Sequence, residues 1–171
     1  IASYHKQKLP NYQVFDELRY FEPGHKPCLI EVGGLRVGII ICEDGWFDQP
    51  AQQSVEAGAQ LVVILNASPY HMGKSRARER QQAQLAAKIG VPTIYGHMVG
   101  GQDEVVYDGG SFCVQADGSL AGRARSFVEE NWMVQAIAEL DSNQVGDTHV
   151  HVRVQASIQP EYERDCTIGL P

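Results

Sequence analysis

Short, almost wholly apolar runs alternate along this chain with longer stretches whose apolar positions recur at helical spacing. Cys28-Leu29-Ile30-Glu31-Val32 and Leu35-Arg36-Val37-Gly38-Ile39-Ile40-Ile41-Cys42 flank the pair Gly33-Gly34. Glycines readily supply the positive φ of a tight turn, so the two runs predict a β-hairpin. The second run loses its polar positions toward its end, as strands buried on both faces do. It stops at a polar cluster, Cys42-Glu43-Asp44-Gly45-Trp46.

Residues 49–57 predict a helix with Asp48 as N-cap, Pro50 in the first turn and Gly58 as the stop. A second buried strand follows at 60–66. The strongest helix pattern spans 73–90, with Ala83, Ala86, Ala87 and Ile89 on or near its apolar side and Gly90 closing it. A third strand follows at 91–95. Residues 111–115 and 120–125 predict a strand pair joined through Asp117-Gly118, and 132–140 alternates apolar and polar positions. Strands interleaved with helices of this length predict an α/β fold. The run 148–154 alternates too, but no partner for it is evident. Residues 1–140 therefore read as the domain, and 141–171 as a linker or tail. No internal repeat is present, which sets repeat architectures aside.

The chain has 171 residues, 43% of them hydrophobic, enough for one domain with a sizeable core. Against 14 lysines and arginines stand 21 acidic residues, a net charge of -7, which argues against a surface built for nucleic acid. No run reaches the roughly 18 apolar residues of a membrane span, so a membrane location is not expected. Ile1-Ala2-Ser3-Tyr4-His5-Lys6 lacks the layout of a signal peptide, and the chain reads as beginning mid-domain.

Cys28, Cys42, Cys113 and Cys166 are scattered without metal-ligand or disulfide-framework spacing, which points to a reducing, cytoplasmic setting. His149 and His151 share one side of an alternating run, but with no third ligand no metal is assigned. A lone cysteine in a strand is commonly a buried, inert residue. Cys42 differs in its placement, because catalytic groups of α/β sheets gather at the carboxyl ends of strands. With a reference pKa of about 8.5, a catalytic thiol needs a nearby base or cation. His5, Lys6 and Lys8 are the upstream candidates. A cysteine protease is conceivable on composition, yet none of the six histidines stands in a protease-like signature.

Four blocks resemble motifs of the nitrilase superfamily of carbon-nitrogen hydrolases, in the form carried by glutamine-dependent NAD synthetases. Lys6-Gln7-Lys8-Leu9-Pro10-Asn11-Tyr12, followed by Val14-Phe15-Asp16-Glu17-Leu18-Arg19-Tyr20-Phe21, is similar to the family's lysine motif. Gly38-Ile39-Ile40-Ile41-Cys42-Glu43-Asp44-Gly45-Trp46 resembles its nucleophile motif. Asn66-Ala67-Ser68-Pro69-Tyr70 with Gly73-Lys74 resembles its substrate loop, and residues 100–111 resemble a fourth block. Together they cover about residues 1–140 in the family's order, which is far more specific than any single motif.

The resemblance implies an α-β-β-α sandwich of four layers, with Cys42 as nucleophile and Lys6 as the cation beside it. A fixed ammonium near the attacked carbon supports a thiolate and then an oxyanion. It further implies that Tyr12, Ser68 and Lys74 bind glutamine and that Glu43 holds its amino-acid end. Tyr12 as packing, Ser68-Pro69 as a turn and Lys74 as a solvated side chain are the bland alternatives. Glu17 and Arg19 fit equally a mutual pair or a support for Lys6, and the place of Asp44 and Trp46 in the motif is compatible with a structural role.

The family's general base is a glutamate upstream of the lysine motif. With so few residues before Lys6, the first part of the fold and that glutamate are expected outside this chain. Losing a general base would forfeit roughly 10²- to 10⁴-fold in rate. The ammonia-using synthetase half, with its ATP and Mg²⁺, is likewise expected outside it, and the glutaminase step itself calls for no cofactor. His97-Met98 stands where the family pattern has an asparagine-containing pair. The expected activity is glutamine hydrolysis through a thioester, supplying ammonia to a synthetase domain, within a homo-oligomer. A stand-alone amidase, nitrilase or carbamoylase, and an inactive assembly module, are the alternatives.

Overall fold

The computed structural model describes residues 2–140 and 150–158. β1 (Cys28–Val32) and β2 (Leu35–Ile41) form the expected antiparallel hairpin, Val32 opposite Leu35. Gly33 and Gly34 turn the chain at φ 57° and 81°, the two successive left-handed residues that glycine adopts without a Cβ clash. Cys42 lies one step past the strand, opening a 3-10 turn, Cys42–Trp46.

α1 (Asp48–Glu56), β3 (Leu61–Asn66), α2 (Lys74–Ile89) and β4 (Thr93–His97) continue the alternation. Asp48 is not the N-cap. Phe47 holds that position, without a side-chain cap, and Asp48 sits in the first turn, where its carboxylate meets Lys88. An acid there still complements the helix dipole, which is why the sequence signal falls within one residue of the true start. In α2 the buried positions are Arg78, Gln82, Leu85 and Ala86, whereas Ala87 is exposed.

β5 (Val99–Gln102) and β6 (Val105–Asp108) form a second hairpin that the apolar pattern did not predict, because Gly100 and Gly101 dilute the strand signal. β7 (Phe112–Val114) and β8 (Leu120–Arg123) are the expected pair. The main sheet has the order β1-β2-β3-β4-β7-β8, parallel across β2, β3 and β4 and antiparallel at both flanks. Ile40, Val62, Ile64, Tyr95 and Phe112 on one face pack with Ala51 of α1 and Leu85 and Ala86 of α2. The parallel strands are thus apolar on consecutive positions because both faces are covered.

The opposite face, with Val37, Leu61, Val63, Ile94 and Cys113, packs against β9 (Trp132–Leu140) and β10 (Val150–Ile158). Here the reading of 148–154 as an unpartnered run, within a linker or tail, is corrected. β10 pairs antiparallel with β9 from Val150 opposite Leu140 to Ile158 opposite Trp132, and Val152 and Val154 are buried. Nine residues, 141–149, separate the two strands in the sequence, so the pairing could not be read from a short hairpin signal. Residues 141–149 and 159–171, including His149 and Cys166, lie outside the described residues.

The class is α/β, as expected. The described residues supply a helix layer, a full sheet and the β9–β10 ribbon. Between Ile30, Leu35, Val63 and Ile94 of the sheet and Val134 and Ala136 of β9 an apolar hollow of about 760 Å³ stays uncovered, on the face where a four-layer sandwich stacks its second sheet. No helix among the described residues is long and apolar enough to cross a membrane.

Candidate active site

Asp44 ties the segment around Lys6 to the Cys42–Trp46 turn. Its carboxylate is fully buried and accepts from four donors: Gln7 N–H at 3.1 Å and Lys8 N–H at 2.7 Å through Oδ1, Ile41 N–H at 3.1 Å and the Tyr4 hydroxyl at 2.8 Å through Oδ2. A carboxyl group buried away from water is tolerated only when its oxygens are hydrogen-bonded this fully. The burial of Tyr4 and its bond to Asp44 push the phenol ionisation far up, so Tyr4 remains a donor. Residues 4–8 carry no helix or strand of their own, and Asp44 is what holds them over the turn.

Cys42 adopts φ 48°, a left-handed conformation rare for a residue with a Cβ. Such backbone strain concentrates at functional positions. Burial is the largest influence on its thiol and raises the ionisation above the ordinary cysteine range. The Lys6 charge and the Glu43 backbone N–H act the other way, while the Glu43 and Glu17 carboxylates add to the rise. The thiol is therefore the resting form at neutral pH, and attack requires a group that takes its proton.

Lys6 Nζ donates to both carboxylate oxygens of Glu17, at 2.7 and 2.8 Å, in a pair whose side chains are 13% and 24% exposed. Glu17 thus supports Lys6, and Arg19 pairs with Asp16 instead. Lys8 turns away, donating to Gln49 and lying 5.4 Å from the Phe47 ring centroid. Tyr12 donates to Glu43 at 2.9 and 3.0 Å, and partial burial, with this bond added, pushes its ionisation up to about 12. Lys74 Nζ stands 4.2 Å over the Trp46 ring, a cation-π contact that ties the start of α2 to the Cys42–Trp46 turn.

Lys6, Tyr12, Glu17, Cys42 and Glu43 are thereby gathered into one electrostatic neighbourhood, with Lys74 at its edge. Ser68 is placed differently. It is buried, and its hydroxyl and carbonyl oxygens accept from Arg78 Nη2 at 3.3 and 3.1 Å. Sequence reasoning missed Arg78, which also binds Asp108 at 2.7 Å in a pair only 2% and 3% exposed. A usable signal existed: Arg78, Gln82, Leu85 and Ala86 follow the spacing i, i+4, i+7, i+8 of a buried stripe. Among the described residues no group of three or more His, Cys, Asp or Glu is arranged to hold a metal ion.

The sequence profile of the carbon-nitrogen hydrolase family matches residues 1–150. The chain belongs to this family. It is 44% identical over 135 residues to the glutamine-dependent NAD(+) synthetase of Xanthomonas campestris pv. campestris, a match covering 78% of this chain and 24% of that protein. The glutamine-dependent NAD+ synthetase of Acinetobacter baumannii, solved with adenosine diphosphate, superposes with a TM-score of 0.70 at 39% identity over 74% of this chain and 24% of its own. A carbon-nitrogen hydrolase from Helicobacter pylori G27 shares the fold, with a TM-score of 0.64 at 24% identity over 72% of this chain and 48% of its own. The chain thus spans about a quarter of the length of the synthetases it matches.

Proposed function

We propose that this chain carries the nucleophile half of a glutaminase site serving a NAD synthetase. Cys42 Sγ attacks the side-chain amide carbon of glutamine. The tetrahedral oxyanion is stabilised by Lys6 and by backbone N–H groups of the turn that follows Cys42. The C–N bond then breaks, the proton taken from the thiol leaves with the nitrogen as ammonia, and a thioester remains. Water cleaves the thioester to glutamate and restores the thiol, so glutamine and water become glutamate and ammonia. A carboxylate supplied from outside the described residues takes and returns the proton, since the raised ionisation of Cys42 leaves the thiol protonated at rest.

Glu17 keeps Lys6 extended toward the reacting carbon, and Glu43, held by Tyr12, receives the α-ammonium of glutamine. Ser68 contributes the proton of its hydroxyl, whose oxygen is already engaged by Arg78. Lys74 offers its charge to the α-carboxylate. The ammonia passes to a synthetase domain that amidates nicotinic acid adenine dinucleotide.

The observation that carries this reading is the 44% identity over 135 residues with a glutamine-dependent NAD(+) synthetase, supported by the grouping of Lys6, Glu17 and Glu43 around Cys42. In the intact protein, Cys42→Ala is expected to abolish glutamine hydrolysis and glutamine-driven synthesis while ammonia-driven synthesis persists. Retention of glutamine hydrolysis, or loss of both syntheses together in a folded protein, refutes it. Hydrolysis of another small amide in place of glutamine would assign a stand-alone amidase.

A further inference from the structure

The loop from β3 to α2 carries Ser68 and Pro69, and three buried side chains grip it from below. Arg78 Nη2 donates to the carbonyls of Ser68 at 3.1 Å and Pro69 at 3.3 Å, while Asp108 holds the other arm of the guanidinium. His97, at the end of β4, brings Nε2 to 3.1 Å from the same Ser68 carbonyl. His97 is itself held rigidly. Its backbone N–H donates to Ser111 Oγ at 2.9 Å, and its ring lies parallel to Tyr95, at 9° with centroids 6.0 Å apart.

Both ring nitrogens of His97 face carbonyl oxygens, Nδ1 standing 2.8 Å from Met98 O. A neutral imidazole has one N–H and satisfies only one of them. Burial and the neighbouring Arg78 charge outweigh Asp108 and the two carbonyls, so His97 is held below its ordinary pKa and is neutral at pH 7. Met98 O is already engaged by the Gly109 N–H at 2.9 Å, in the ladder leading to the β5–β6 hairpin. Ser68 O belongs to a loop without a sheet ladder of its own, where a second donor does more to fix the backbone.

We propose that His97 is a positioning residue for the substrate loop: its Nε2–H, together with Arg78, fixes the Ser68 carbonyl and thereby the pose of Ser68 toward the bound amide. The proposal rests on the reading of Ser68 as a substrate contact. His97-Met98 stands where the family pattern has an asparagine-containing pair, and the geometry makes a specific demand of an amide at position 97. Glutamine places its amide nitrogen near the position of histidine Nε2, whereas asparagine places it near Nδ1.

The test is steady-state glutamine hydrolysis by the intact protein with His97→Gln and His97→Asn. Loss of one neutral hydrogen bond that acts equally on ground and transition states predicts a rise in KM of roughly 3- to 10-fold for His97→Asn, with kcat unchanged. His97→Gln is expected to restore KM to near the wild-type value. Amide hydrogen exchange at residues 67–70 gives a readout independent of turnover: faster in His97→Asn, unchanged in His97→Gln. A merely structural role would move both variants alike, so equal KM values, or equal exchange, overturn the proposal. If the wild-type protein hydrolyses a different small amide, the glutaminase reading falls, and the same contrast in KM for that amide still decides the role of His97.

Discussion

Replacing Asp108 by asparagine tests whether the floor of the substrate loop is electrostatic. Asp108 and Arg78 meet at 2.7 Å with almost no exposure, so solvent screens them little. Two unit charges about 4 Å apart at an effective dielectric constant of about 20 attract by roughly 4 kcal/mol. Removing one partner of such a pair generally costs about 3–5 kcal/mol, mostly by stranding the other charge. Arg78 keeps its bonds to the Ser68 and Pro69 carbonyls, which places Asp108→Asn at the lower end, about 3 kcal/mol. At about 1.4 kcal/mol per decade this is roughly a hundredfold. Native-state hydrogen exchange of the α2 amides in the intact protein reads it as a faster local opening. Acceleration of less than about tenfold would refute the reasoning. So would a double replacement, Arg78→Met with Asp108→Leu, that costs as much as the single one. Removing both charges strands neither, and the pair of changes should be the milder.

Alkylation of Cys42 by iodoacetamide against pH should have its midpoint above that of a free cysteine, because burial raises the thiol ionisation. Lys6→Met should move that midpoint further up, and Glu17→Gln should move it down while slowing hydrolysis; an upward shift in Glu17→Gln would contradict the electrostatics described. Gly122 lies where an added Cβ would stand 2.4 Å from Ala156 Cβ, so Gly122→Ala should destabilise the docking of β10 on β8 by about 1–3 kcal/mol. Ala156→Gly in the same protein should recover most of that loss in a denaturation experiment, and failure to recover it would place β10 elsewhere.

What was legible in the sequence is what local chemistry determines. Gly33-Gly34 sets a turn, continuous Ile39-Ile40-Ile41 sets a strand covered on both faces, and Gly90 in a left-handed conformation ends α2. Pairings across long separations were not legible: β10 pairs with β9 although no short turn motif links them in the sequence. Cys42 was singled out by its place at the end of a buried strand and then by its motif, since composition does not separate it from Cys28 or Cys113, which are buried. Whether Glu17 and Arg19 pair with each other or support Lys6 was open in the sequence until the geometry gave the Glu17 carboxylate to Lys6 and the Arg19 guanidinium to Asp16. Asp44 shows why such assignments resist sequence reading. It sits two residues from the nucleophile, in the motif, and carries the right functional group for catalysis. Yet its two oxygens are consumed by four donors, leaving it to hold Lys6 and Cys42 in register. A motif marks which residues a site needs. Only the inventory of their hydrogen bonds separates those that react from those that keep the reacting ones in place.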